Sequence, residues 1–212
     1  EASEHPDWFA EVTAAYADRS GHYLRKEALT AFVEMAKAAE KDGVRLKIIS
    51  ATRSFYRQKS IWEAKWTGKR KVEGKFLPES HPEAKARALF ILRYSSMPGT
   101  SRHHWGTDFD INNLNDSYFL KEPGKSEYAW LQKHAAGYGF CQPYSRKGSR
   151  RPSGYEEEKW HWSYMPLAAP LTKMYADLLS DHDIQGFAGA ESAPSIGMVA
   201  TYVEGVDPMC YE

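Results

Sequence analysis

The sequence predicts an α+β fold in a single domain, with a small antiparallel sheet flanked by helices. Three observations predict it. Apolar residues of the N-terminal half recur at helical spacing. The alternating stretches are short and carry the polar clusters. No repeat, low-complexity tract or linker divides the 212 residues. That length suits one buried core. Within it, residues 1–43 read as N-terminal helices, 44–164 as the core that carries the polar clusters, and 165–212 as a C-terminal helix and strand.

Trp8, Phe9, Val12 and Tyr16 place a helix over residues 7–19. Leu29, Phe32, Val33, Met35 and Ala36 place a second over 25–42, stopped by Gly43. Val44, Leu46 and Ile48 alternate with Arg45 and Lys47, giving a strand over 44–50. Ser54 caps a third helix that runs to Trp66. Residues 67–75, basic and glycine-containing, read as a solvated loop. Ser80, His81, Pro82 and Glu83 read as a helix start with proline in the first turn, extending toward Tyr94. Residues 97–100 form a turn, and 101–111 end as a short strand. Helices follow over 127–136, closed at Gly137 or Gly139, and over 168–179. Between them, 146–154 is basic and rich in turn residues, and 157–164 alternates as a strand. Residues 198–203 read as a late strand.

Acidic and basic residues balance at 28 each, which argues against a nucleic-acid partner. No stretch approaches the roughly 20 apolar residues of a membrane span. Aromatic content is high, with seven Trp and 13 Tyr; part of it belongs to the core, and part is expected to line a groove for peptide or sugar. Cys141 and Cys210 are too far apart in sequence for a CxxC zinc site. In an exported protein they would form one disulfide closing a long C-terminal loop; otherwise they are two buried thiols.

Two segments concentrate the side chains that bind metals. One runs Ser101-Arg102-His103-His104-Trp105-Gly106-Thr107-Asp108-Phe109-Asp110; the other runs Glu156-Glu157-Glu158-Lys159-Trp160-His161-Trp162. A catalytic zinc takes three protein ligands and leaves one position open. His103, one of the two aspartates and His161 would supply a His2Asp set, with Gly106 turning the backbone between the first two. On a strand, His161 faces away from Trp160 and Trp162. Hydrolysis also needs a carboxylate base beside the metal. Glu156, Glu157 and Glu158 are all candidates, and periodicity does not choose among them. His5, His22, His81, His134 and His182 sit in no such cluster. His104 adjoins a candidate ligand and fits a supporting place.

At these segments the sequence resembles the D-alanyl-D-alanine carboxypeptidase metallopeptidases, both the vancomycin-resistance-type D,D-carboxypeptidases and the related L,D-carboxypeptidases. Their pattern is Ser-x-His-x-x-Gly-x-Ala-x-Asp followed by Glu-x-x-His with Trp before the His. Ser101, His103, Gly106, Asp110, Glu158, Trp160 and His161 match it, and Arg53 with Gln58 matches an upstream Arg and Gln of the family. The resemblance covers residues 44–164. It implies a hedgehog/D-Ala-D-Ala carboxypeptidase-like fold whose sheet carries Zn2+ on His103, Asp110 and His161. It also implies Glu158 as general base, Arg53 as the group for an oxyanion or a substrate carboxylate, and Ser101 and Gln58 as substrate-positioning residues. The implied substrate is a peptidoglycan stem peptide ending in a D-amino acid, met in the periplasm or at the cell wall. A peptidoglycan endopeptidase, or a zinc-containing binding domain without catalysis, are the competing readings. Asp108 departs from the pattern, standing where the family has a small residue, and is either a rival ligand or a support. Residues 67–97 form a longer segment than a minimal member carries.

Overall fold

The structure, a computed structural model, describes residues 6–211. In chain order its elements are β1 (Phe9–Glu11), β2 (Tyr23–Arg25), α1 (Lys26–Lys41), β3 (Ile48–Ser50), α2 (Phe55–Trp66), α3 (Leu77–Ser80), α4 (Ala84–Ile91), β4 (Asp108–Ile111), α5 (Gly124–His134), β5 (Phe140–Cys141), β6 (His161–Tyr164), α6 (Met165–Leu178) and α7 (Ala193–Ile196). This is the α+β arrangement expected, with a four-stranded antiparallel sheet in the order β3-β4-β6-β5.

The helix expected over residues 7–19 is not formed. β1 pairs antiparallel with β2, and Gly21, at φ 82°, turns the chain between them. Val12 N–H donates to His22 O, so backbone groups that a helix would satisfy locally are satisfied by a neighbouring segment. α1 follows the sequence reading closely, burying Ala28, Phe32, Met35, Ala36 and Ala39 on one face. β3 is shorter than expected because Lys47 N–H bonds the Asn112 side chain, at 2.7 Å, ahead of the ladder. Ser54 caps α2, accepting from Arg57 N–H at 3.2 Å. Pro82 does not enter α4; Glu83 is its cap, accepting from Lys85 and Ala86 N–H at 2.9 and 2.6 Å. α5 ends in a 3-10 turn closed at Gly139, and α6 starts earlier than read, with Pro166 in its first turn.

Residues 198–203 form no strand. They carry a π-helical turn over Val199–Val203, with Met198, Val199, Tyr202 and Val203 buried. Two apolar clusters hold the elements together. One, with Phe32, Phe109, Trp130 and Trp162, lies under α1 and α5 against one face of the sheet. The other, with Trp62, Leu92, Met97 and Met198, joins α2 and α4 to the C-terminal turns. Cys141 and Cys210 are joined as a disulfide, with Cα atoms 5.6 Å apart. Among the described residues no helix is long and apolar enough to cross a membrane.

Candidate active site

The sheet register assembles the site. Asp110 lies directly across from His161 and Asp108 across from Ser163, while Phe109 faces Trp162 on the opposite, apolar side. Alternation along β4 and β6 thus puts two carboxylates, an imidazole and a hydroxyl on one face. Ser50, the last residue of β3, pairs with Asp110 from the other side. His103 arrives from a 3-10 turn over Arg102–Trp105, which Gly106 ends in the left-handed region at φ 74°. A Cβ there would meet the Phe9 ring at 2.3 Å, so glycine is required for both conformation and space.

His103, Asp110 and His161, all buried, bring their ligand atoms within 4.8 Å of one another. Each imidazole is oriented from behind. His103 Nδ1 donates to Ala51 O at 2.8 Å, leaving Nε2 turned toward Asp110 Oδ1 at 3.4 Å. His161 Nε2 donates to Asp108 Oδ2 at 2.9 Å, leaving Nδ1 3.1 Å from the same Asp110 oxygen. Asp110 Oδ1 is buried and has no hydrogen-bond partner. The three atoms converge, an arrangement that a cation among them, or a proton on His161 Nδ1, would stabilise. The donor set of two imidazoles and a carboxylate fits zinc.

Arg53 borders this set. Its Nη2 lies 2.9 Å from both His103 Nε2 and Asp110 Oδ2, and its other groups reach Ser50 Oγ and Gln58 Oε1. His104 supports it from behind, Nδ1 donating to Arg53 O at 2.6 Å. Burial and the Arg53 charge lower the His103 pKa to about 4. For His161 burial opposes the charged form, but the hydrogen bond to Asp108 and the neighbouring Asp110 carboxylate outweigh it and raise the pKa to about 9. Asp110 is held well below its ordinary value, since the two histidines outweigh its burial.

Glu158 hangs over the site from the turn before β6. That turn is closed by His161 N–H to Glu158 O, and brings the carboxylate Oε2 to 3.6 Å from His161 Nδ1. Burial pushes its pKa up to about 8, against the lowering effect of His161. The run of three glutamates is therefore three different environments. Glu156 pairs with Lys147 and Glu157 with Lys159, both away from the donor set.

These residues form the floor of a cleft of about 1110 Å³, lined by Arg53, His103, Asp110, Glu158, Trp160 and His161 among others. Trp160 precedes the strand and lines the cleft instead of facing away from it. Gln58 and Ser101 do not line the cleft: Gln58 is fully buried between Arg53 and Ser96 O, and Ser101 is buried at the start of the His103 turn. Asp108 is turned from the cleft toward Arg102, so it backs His161 and does not join the three ligand atoms. His134 stacks on Trp130, while His22 pairs with Asp18; His5 lies outside the described residues.

Lys65, Tyr144 and Tyr155 line the cleft and were missed by the sequence reading. Burial lowers the Lys65 pKa to about 8, Arg70 adding to the effect, and its Nζ bonds Ser95 Oγ. Its place two helical turns after Gln58 was the available signal. The tyrosines gave none, because their ring packing against His161 and each other is long-range.

An antiparallel sheet carrying a buried His2Asp set beneath a carboxylate and an arginine defines a metallopeptidase-like centre. Residues 21–167 match the model of the family described as VanY, D-alanyl-D-alanine carboxypeptidase, and the chain belongs to that family. The protein named "Putative carboxypeptidase YodJ" of Bacillus subtilis is 32% identical over 166 residues, covering 76% of this chain and 51% of that protein. The chain spans about half the length of the curated relatives it matches. Among solved structures, the LdcB LD-carboxypeptidase superposes with a TM-score of 0.57 at 25% identity, over 91% of this chain and 79% of that one. A vancomycin-resistance D,D-pentapeptidase VanY in complex with Zn(II) has the same fold, with a TM-score of 0.55 at 23% identity over 90% and 91%.

Proposed function

We propose that this chain is a zinc carboxypeptidase that removes a terminal D-amino acid from peptidoglycan stem peptides, in the periplasm or at the wall. The observation that carries the reading is the buried convergence of Asp110 Oδ1 with two imidazole nitrogens that are each oriented from behind, with Glu158 alongside. Family membership and the solved VanY–Zn(II) complex support zinc as the ion. His103 through Nε2, His161 through Nδ1 and Asp110 would hold it. Zinc bound there supplies Lewis acidity to the scissile carbonyl and to water.

The chain's own residues supply the rest. Glu158 accepts a proton from the attacking water and passes it to the leaving amine; its dry setting keeps the carboxylate basic enough for both transfers. Arg53, its side chain 23% exposed at the cleft floor, offers N–H groups to the oxyanion or to the terminal carboxylate of the peptide. Gln58 fixes the plane of that guanidinium from within the core, and so affects substrate through Arg53. Ser101 serves by starting the turn that presents His103.

The test is mass spectrometry of defined pentapeptide and tetrapeptide muropeptides incubated with zinc-loaded protein. The expected product is the peptide shortened by one D-residue, with an amidated C-terminus left uncut. Loss from the pentapeptide alone assigns the D,D-bond, and loss from the tetrapeptide alone the L,D-bond. An internal cut makes the protein an endopeptidase. Bound zinc with no cleavage of either makes it a binding domain.

A further inference from the structure

Asp108 replaces a small residue of the family pattern with a fully buried carboxylate, and every contact it makes is accounted for. Oδ2 accepts from His161 Nε2 at 2.9 Å and from Arg102 Nε at 3.0 Å. Oδ1 accepts from Thr107 Oγ1 at 2.6 Å and Ser163 Oγ at 2.8 Å. Arg102 is itself buried, its Nη1 donating to Thr172 Oγ1 on α6 and its Nη2 to Ser163 Oγ, both at 2.7 Å. The network therefore runs from His161 at the cleft floor through Asp108 and Arg102 to α6, and every member is buried.

We propose that Asp108 is the positioning residue for the metal centre: it fixes the His161 tautomer and ring angle so that Nδ1 faces the ion. This inference rests on the zinc reading given above. An imidazole that donates from Nε2 has only Nδ1 left as a ligand atom, and a carboxylate acceptor makes that nitrogen a stronger donor to metal than a neutral acceptor does. Behind His103, by contrast, Nδ1 donates to a neutral acceptor, the Ala51 carbonyl. The two histidines thus differ in kind, and the centre depends more on His161. The competing account is that Asp108 exists only to neutralise buried Arg102.

The double variant Asp108→Ala/Arg102→Met separates the two accounts, because it removes both charges at once. Zinc affinity is read by chelator competition, and folding by thermal denaturation of the metal-free protein. The expected result is a folded protein whose zinc affinity is at least about tenfold weaker, the scale seen when such outer partners are lost. A double variant that binds zinc as tightly as the parent overturns the proposal. Should the variant not fold, long-range ¹H–¹⁵N NMR of the zinc-loaded parent decides instead. A protonated Nε2 and a metal-shifted Nδ1 on His161 are expected, and the opposite assignment overturns the proposal. A parent protein that takes up no zinc removes the underlying reading, and this inference with it, whereas failure of the double variant alone to lose affinity leaves the reading standing.

Discussion

At the scale of single residues, the site depends on which of several similar side chains is buried where. Glu158→Gln keeps size and hydrogen bonding but accepts no proton, and is expected to lower kcat by at least about 10²-fold. Its zinc content should stay at one per chain, read by elemental analysis. Glu156→Gln and Glu157→Gln should keep most activity, since both carboxylates pair with lysines away from the donor set. Near-normal turnover of the Glu158 variant would end the role given to it. Arg53→Lys should also be costly in kcat/KM, because an ammonium cannot span Ser50, Gln58 and a substrate group together. Proton and metal compete for His161 Nδ1. The His161 pKa is raised to about 9, so that nitrogen is protonated at neutral pH without metal. Zinc affinity should therefore rise by roughly tenfold per pH unit from pH 6 and flatten near 9. In the metal-free protein the same raised pKa contributes stability that is full below about 6.5 and is lost as pH rises through about 9. Chelator competition across pH checks the first, and a flat profile would exclude His161 as a proton-linked ligand.

At the scale of elements, Gly106 shows how far the sequence could be read. Its place between His103 and Asp110 marked a turn, and the turn is there at φ 74°. Gly106→Ala adds left-handed strain of roughly 1–3 kcal/mol and a clash with Phe9. It should lower the melting temperature and weaken zinc binding together, measured on the same preparation; an unchanged melting temperature would mean the turn tolerates a side chain. α1 and α2 were legible because burial on one face and a Ser54 cap are local signals. β1 was not, because its ladder partners, Tyr23 to Arg25, lie more than ten positions away, while Trp8, Phe9, Val12 and Tyr16 happen to fall at helical spacing. The late turn was misread in the other direction. Met198, Val199, Tyr202 and Val203 recur at helical spacing, although valine, threonine and tyrosine are residue types that also favour strands. In the site, the three candidate ligands offered by the sequence are brought together by the structure. The job of Asp108 was not legible, because it depends on Arg102 and Ser163 meeting it across the sheet and the turn.

At the scale of the whole molecule, the sheet and the C-terminal turns are tied by covalent chemistry as well as by packing. Cys141 sits on β5, paired across the ladder with Ser163 beside the candidate metal centre, and Cys210 lies at the far end of the chain. The bond spans 69 positions and so removes a large loop's freedom from the unfolded chain. On chain-entropy grounds that contributes about 4 kcal/mol. For a protein of this size about 4 kcal/mol corresponds to a fall of roughly 8–16 °C in Tm on reduction. A persistent disulfide also fits an oxidising compartment, which supports the proposed site of action outside the cytoplasm. Two measurements decide the point. Thiol titration of the unfolded, unreduced protein should find no reactive thiol among its two cysteines. Cys141→Ser/Cys210→Ser should lower Tm as reduction does, and a reducing agent should then have no further effect on the variant. Two titratable thiols in the parent would leave the C-terminal turns held by the apolar cluster and the polar contacts of Asp207 with Pro143 O, Ser145 and Arg150, and would withdraw the support that the bond lends to export.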